Sequence, residues 1–229
     1  MHITPIAYFR SPFVSKFGIP RQSGIIESLE GEVVFSPPYD NADAVRGIDG
    51  FTHLWLIWGF SENIRAKDDE TRADVHLTVR PPRLGGNERI GVFASRSPFR
   101  PNGLGLSCVR LKEIGKGRLV VCGADLMDGT PIYDIKPYVP YADCMKEATG
   151  GYTDNAWRRL DVSFPQQLRT SMSDADVRTI IAALQQDPRP HYHNDDTRIY
   201  GMPYRNKDIK FCVKGNTVEV ISVSEENIK

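Results

Sequence analysis

The chain has 229 residues, with 29 basic and 29 acidic side chains, a formal net charge of zero, 40% hydrophobic and 25% charged residues. Neutrality excludes a histone-like or polycationic role, so any nucleic-acid binding must come from a local patch. The length suffices for one large domain, or for a main domain with a smaller appendage, and for a proper core.

Met1 to Ile6 lacks a basic segment followed by an apolar one, and no later run approaches the roughly 20 apolar residues that a spanning helix needs. These features predict a cytoplasmic protein with no membrane segment. Cys108, Cys122, Cys144 and Cys212 lie far apart without C-x-x-C spacing, which reads as reduced and mostly buried thiols.

In chain order, Ile3 to Phe9 is an apolar run suited to a strand, and the loop Phe17 to Gly24 is stiffened by Pro20 and its glycines. Gly31 to Phe35 reads as a short strand and Asp40 to Val45 as a helical turn. Phe51 to Phe60 is apolar on both period-2 faces, which predicts a central strand covered on both sides. His53 reads as a histidine hydrogen-bonded near the start of that strand. Ser61 to Asp74 turns polar and charged, as an exposed loop would.

The stretch Arg80 to Ser107 then carries five arginines up to Arg100, no lysine and one acid, Glu88. Prolines and glycines between them hold the backbone in defined loops, and guanidinium groups on rigid loops face an anionic ligand. Arg89 to Ala94, Leu104 to Ile114 and Gly117 to Ala124 are strand candidates. Strand following strand with no crossover helix predicts a mainly β, antiparallel barrel or sandwich and disfavours a Rossmann sheet.

Asp125 to Pro131 closes this run with two acids and a Gly-Thr-Pro turn, and Cys144 to Asn155 is a small, polar linker. We therefore expect one domain over residues 1–145 and a smaller α+β domain over 156–229. In the latter, Ser173 and Asp176 resemble a capping box, with Val177, Ile180, Ile181 and Leu184 on one helical face. A hairpin over Ile209 to Val213 and Val218 to Val223 follows. Such an appendage is marginal alone and should dock on the first domain.

No nucleophile-elbow, P-loop or zinc-protease motif is present. His191 and His193 with Asp195 and Asp196 lack a further spaced ligand pair, so no metal is expected. What remains is a set of loops: Pro20 to Gln22, the arginine stretch, and Asp125 to Gly129. The acids suit ribose hydroxyls or an ammonium group and the arginines suit phosphate or carboxylate, which amounts to a two-ligand site.

The stretches P-R-Q at 20–22, D-A-V-R-G at 43–47, R-P-P-R-L-G-G-N at 80–87, G-V-F-A-S-R-S-P-F-R-P-N at 91–102, D-x-x-D-G-T-P at 125–131 and D-I-K-P-Y at 134–138 resemble those of the TsaA-like, or TrmO, family of tRNA (adenine-N6)-methyltransferases. The likeness runs from about residue 3 to 142 and reaches D-P-R-P at 187–190. It implies a small non-Rossmann β-barrel that binds S-adenosylmethionine as a homodimer and methylates N6-threonylcarbamoyladenosine beside the anticodon of threonine tRNA.

By position, the resemblance places the donor at Pro20, Arg21, Gln22, Ser61, Glu62, Arg96, Leu106 and Asp125, Leu126, Met127 and Asp128. Arg80, Arg83, Arg100, Asn102 and Lys136 are expected to hold the substrate, and Asp134 and Tyr138 to assist removal of the proton. Ser61-Glu62 stands where the family often has His-Gln, and Gly103-Leu104 where it often has Pro-Ile. A non-catalytic RNA-binding barrel, or a small-molecule methyltransferase of the same fold, would use many of the same residues.

Overall fold

The computed structural model describes residues 3–60, 77–154, 159–189 and 195–225. Its first half is a closed antiparallel barrel of six strands: β1 (Ala7–Arg10), β2 (Glu30–Phe35), β3 (His53–Gly59), β6 (Leu104–Gly115), β7 (Arg118–Cys122) and β8 (Pro131–Pro137). Around the barrel the order is β1-β2-β7-β6-β3-β8, with β8 pairing back onto β1. Closure leaves this sheet no free edge.

The alternation in the strands decides what fills the barrel. Leu54, Leu56 and Trp58 of β3 point inward with Phe9, Val33, Val109, Leu119, Val121 and Ile132, all buried. The opposite face of β3, with His53, Trp55 and Ile57, is only half-buried. The strand is central, between β6 and β8, but the expectation of full cover on both sides holds for one side only. His53 bonds to Thr52, Nδ1 to Oγ1 at 3.0 Å, as expected of a histidine at the strand's start.

The predicted strand at 89–94 is shorter than expected. Only Ile90–Gly91 (β5) pairs, with Thr78–Val79 (β4), and Val92–Ala94 turns into a 3-10 segment closed by the Ser95 hydroxyl donating to the Val92 carbonyl at 2.8 Å. A serine that bonds its own preceding backbone competes with strand pairing.

After a single helical turn, α1 (Pro140–Asp143), the chain forms a second sheet from β9 (Asp161–Ser163), β10 (Tyr200–Tyr204), β11 (Lys207–Lys214) and β12 (Thr217–Glu225). Its order is β10-β11-β12-β9, and β9 runs parallel to β12, a pairing the sequence pattern did not indicate. The helix α2 (Asp174–Leu184) lays Val177, Ile180, Ala183 and Leu184 against Met202, Ile209, Phe211 and Val218. Phe13, Ile26 and Leu29, from the connection between β1 and β2, are buried in that same cluster. Docking thus lends the second core residues from the first half of the chain, which suits a sheet too small to bury enough on its own.

At the start of α2, Ser173 Oγ accepts from the Asp176 backbone N–H at 3.1 Å. Asp is one methylene shorter than the usual Glu, and its carboxylate serves other partners. It accepts from Ser173 Oγ at 2.7 Å, Tyr204 Oη at 2.9 Å and Arg205 Nε at 2.9 Å. Burial by itself would raise this carboxyl, but those three donors outweigh it and hold Asp176 below the usual carboxylate range. A depressed carboxylate contributes stability above its unfolded value that is lost as pH falls through the folded one. Asp176→Ala is therefore expected to lower the melting temperature by about 4–8 °C, since breaking such a network costs about 2 kcal/mol. In thermal scans the gap between the variant and the parent should close as the pH is lowered towards about 3.

Candidate functional site

The end of β7 brings the loop at 20–24 to the acidic segment. The Gly24 N–H donates to the Gly123 carbonyl at 2.8 Å, and Gly123 sits at φ +81, which a glycine adopts without strain. Asp125, two residues on, therefore lies beside Gln22 and Ser23. Its Oδ1 accepts from Ser107 Oγ at 2.5 Å, and Ser107 Oγ in turn accepts from Trp58 Nε1 at 2.9 Å. Ser107 is fully buried, so its one hydrogen and one of its lone pairs are committed to this chain. A Cβ built on Gly105 would lie 2.3 Å from the Trp58 indole, so only glycine there lets the ring lie across β6 to reach Ser107.

Arg96 closes the cluster. Its Nη1 donates to Gln22 Oε1 at 2.6 Å, and its positive charge acts on Asp125. Burial nonetheless dominates and pushes the Asp125 carboxyl above the usual carboxylate range, against the Ser107 hydrogen bond, backbone donors including Ser23, and Arg96. A half-buried acid of this kind favours a ligand that brings a cation or hydroxyl donors.

Gln22, Arg96 and Asp125 are thus brought together. Ser107 and Trp58 were missed from sequence, although Ser107 is the polar residue among the inward positions Gly105, Val109 and Leu111 of its strand. Pro20 is buried, and Arg21 Nη2 donates to the Asp187 carbonyl at 3.1 Å, which ties the loop to the D-P-R-P motif. Burial lowers the Arg21 guanidinium, Asp187 opposes that, and the positive charge of Arg83 adds to it.

Asp128 plays another part. Its Oδ1 accepts from the Ser11 N–H at 3.0 Å and its N–H donates to the Phe13 carbonyl at 2.9 Å, which fastens the loop after β1. Leu126 lies in the barrel core at 1% exposure, so only its backbone is available to a ligand. The Met127 carbonyl accepts from Thr130 Oγ1 at 2.7 Å. Ser61 and Glu62 lie outside the described residues, as does the rest of the polar stretch through Asp74; the pair His191 and His193 lies outside them too.

Asp134 and Leu106 both stand opposite Ile57, on the outer face of the sheet, whereas Ser107 stands opposite the inward Leu56. Partners in register share a face, so the barrel wall separates Asp134 from the Ser107 and Trp58 side chains. Asp134 pairs with Lys136 at 2.8 Å. Tyr138 packs against His53 and Trp55, with ring centroids 6.3 and 5.8 Å away, and burial followed by the Cys144 and Cys108 thiols pushes its phenol up.

Among the expected substrate residues, Arg80 is exposed, Arg83 Nη1 donates to the Thr153 carbonyl at 2.5 Å, and Arg100 Nη1 donates to the Ser95 carbonyl at 2.7 Å. Asn102 and Arg100 line a shallow depression of about 300 Å³ with Phe93, Pro101 and Leu104. No group of three or more metal-ligating side chains occurs among the described residues.

A closed six-stranded barrel whose end carries an acid–arginine–amide cluster beside an arginine-rich loop defines a non-Rossmann ligand-binding fold. The family model of the tRNA-methyltransferase O N-terminal domain matches residues 8–144, and that of the TrmO C-terminal domain matches residues 158–226. An Escherichia coli K12 tRNA (adenine(37)-N6)-methyltransferase is 41% identical over 231 residues, 95% of each chain. One from Eikenella corrodens is 38% identical over 168 residues, 72% of this chain and 92% of that one. A crystal structure of TrmO from Pseudomonas aeruginosa superposes with a TM-score of 0.78 at 31% identity, covering 98% of both chains. The chain belongs to the TrmO family of tRNA methyltransferases.

Proposed function

We propose that this chain is an S-adenosylmethionine-dependent tRNA methyltransferase that methylates N6 of threonylcarbamoyladenosine beside the anticodon of threonine tRNA, acting as a cytoplasmic homodimer. The observation that carries the donor assignment is the cluster of Gln22, Arg96, Asp125 and Ser107. S-adenosylmethionine supplies the methyl group as a sulfonium cation, the kind of ligand such a carboxylate favours. We assign this donor site to the barrel, residues 1–145, and give residues 156–229 the task of holding Arg21 through Asp187.

Methyl transfer to nitrogen disperses charge in the transition state, so the residues act mainly by alignment. Asp125 and Arg96 hold the donor pocket's polar groups fixed in a partly desolvated setting. Pro20 and Arg21 present the loop, Leu106, on the outer face, offers an apolar contact to a donor held by the other protomer, and Asp128 and Met127 keep the acidic segment in place. Ser61 and Glu62 complete the donor contacts in this proposal. The target nitrogen must also lose a proton. Within one protomer the barrel wall separates Asp134 and its partner Lys136 from the donor cluster, so Asp134 is assigned as acceptor at the site of the other protomer of the homodimer; Tyr138, whose phenol stays protonated at neutral pH, orients the segment.

Arg80, Arg83, Arg100 and Asn102 hold the RNA backbone or the threonyl carboxylate, as a guanidinium does by paired hydrogen bonds. The homodimer is supported by exposed apolar side chains: Leu106, on the outer face of β6, at 54%, and Tyr141 at 93% and Met145 at 70% in the segment after β8, which Trp55 of that outer face holds by donating to Asp143 at 3.0 Å. Incubation with methyl-labelled donor and threonine tRNA bearing the threonylcarbamoyl group is expected to put label on that adenosine. No transfer to this or any other RNA, together with no calorimetric heat of donor binding, would leave an RNA-binding module; transfer only to small molecules would leave the other rival.

A further inference from the structure

We infer that Phe93 is a stacking platform for an unpaired nucleobase flanking the target adenosine. This rests on the tRNA reading above and adds to it a named contact that distinguishes a single-stranded loop from a duplex.

Phe93 is 75% exposed, although it lies between Val92, which is 2% exposed, and Ala94 in a tight 3-10 segment. Its backbone is not loose. Ser95 Oγ donates to the Val92 carbonyl at 2.8 Å and accepts from the Ser97 N–H at 3.3 Å, while the Ser95 carbonyl accepts from Arg100 at 2.7 Å. Ser95 is therefore the hub that fixes Phe93 and Arg100 relative to each other. A large aromatic side chain held outward on a fixed turn keeps its apolar surface in water, an arrangement that costs stability and suits a ligand.

The neighbouring chemistry says which ligand. Phe93 lines the depression with Arg100, Asn102, Pro101 and Leu104, which places an aromatic face, a guanidinium and a primary amide around one shallow space. Those are the groups that recognise a splayed nucleotide: a ring or guanidinium plane for the base, a cation for the phosphate, an amide for the base edge. The enclosing loop contributes Arg80, Arg83, Arg89 and Arg96 and a single acid, Glu88, so its charge complements a polyanion. Phe93 is also three residues from Arg96, a chain separation of at most about 11 Å, and Arg96 touches the donor-loop residue Gln22. A base seated on Phe93 is thus within a nucleotide or two of the reacting centre.

The test uses the full-length protein and a threonine anticodon stem-loop with 2-aminopurine beside the target adenosine. The parent protein is expected to bind it and quench its fluorescence. Phe93→Ala should abolish the quenching and weaken binding at least about fivefold, Phe93→Trp should retain both, and Phe93→Leu should resemble Phe93→Ala. Calorimetric donor affinity and the mass by light scattering should be the same in all four proteins. Unchanged quenching and affinity in Phe93→Ala, or full retention in Phe93→Leu, would overturn the inference while leaving the methyltransferase reading intact. A halved mass for Phe93→Ala would assign the ring to contact with a second copy and overturn it too. Failure of the parent protein to bind the stem-loop would remove the tRNA reading and this inference together.

Discussion

Asp125→Asn is expected to weaken S-adenosylmethionine binding by about tenfold to a hundredfold, the range for losing a hydrogen bond to a charged group, without destabilising the protein. The side-chain oxygen of Asn still accepts from Ser107, so the buried chain through Trp58 survives. The charge, which burial opposes, is gone. A carboxyl raised by folding favours the folded state below its unfolded value and loses that contribution as pH rises through the folded one. The ionised form of Asp125 therefore works against folding, and Asn should leave the melting temperature equal or higher. Binding in the parent protein has the opposite sign, because the ionised form that burial disfavours is the one that attracts the sulfonium. Donor affinity should fall as pH is lowered, with the fall beginning above the range where an ordinary Asp titrates, and that slope should vanish in Asp125→Asn. Calorimetry across pH, paired with thermal scans, measures both; a lower melting temperature with unchanged affinity would make Asp125 a purely structural group.

Arg96→Ala and Arg83→Ala are expected to part company. Loss of Arg96 removes the bond to Gln22 and the positive charge that restrains Asp125, so donor affinity should fall about tenfold and its pH dependence should move upward. Arg83→Ala should leave donor affinity within about twofold, weaken tRNA binding at all sequences, and reduce the slope of log affinity against log salt by about one. The charge of Arg83 acts on Arg21, which makes this a demanding comparison, because a shared role would show as donor loss in both variants. Equal donor loss in both would end the division of the arginine stretch into a donor half and an RNA half.

Much of this was legible in the sequence because it rests on local rules. Apolar runs bounded by turn residues marked the strands at 31–35, 51–60, 104–114 and 117–124, helical spacing marked Val177 to Leu184, and the ordered motifs pointed to the family. The misreadings have local causes as well. Arg89 to Ala94 has strand composition, but Ser95 captures the Val92 carbonyl and turns the chain. The parallel pairing of β9 with β12 joins residues about 55 apart, beyond the reach of any hairpin rule.

The site itself was decided by tertiary structure. Sequence supplied Gln22, Arg96 and Asp125 as separate candidates; only barrel closure and the Gly24–Gly123 contact put them together, across 74 positions for Gln22 and Arg96. Ser107 and Trp58 entered through strand register, and Arg21 met Asp187 across 166 positions. The same register sent Asp134 and Leu106 to the other face from Ser107. Composition and period determine which residues face inward and which are charged. Which of them meet depends on pairing between strands distant in the chain, and a one-residue shift in that pairing would send Ser107 outward and leave Asp125 without its donor.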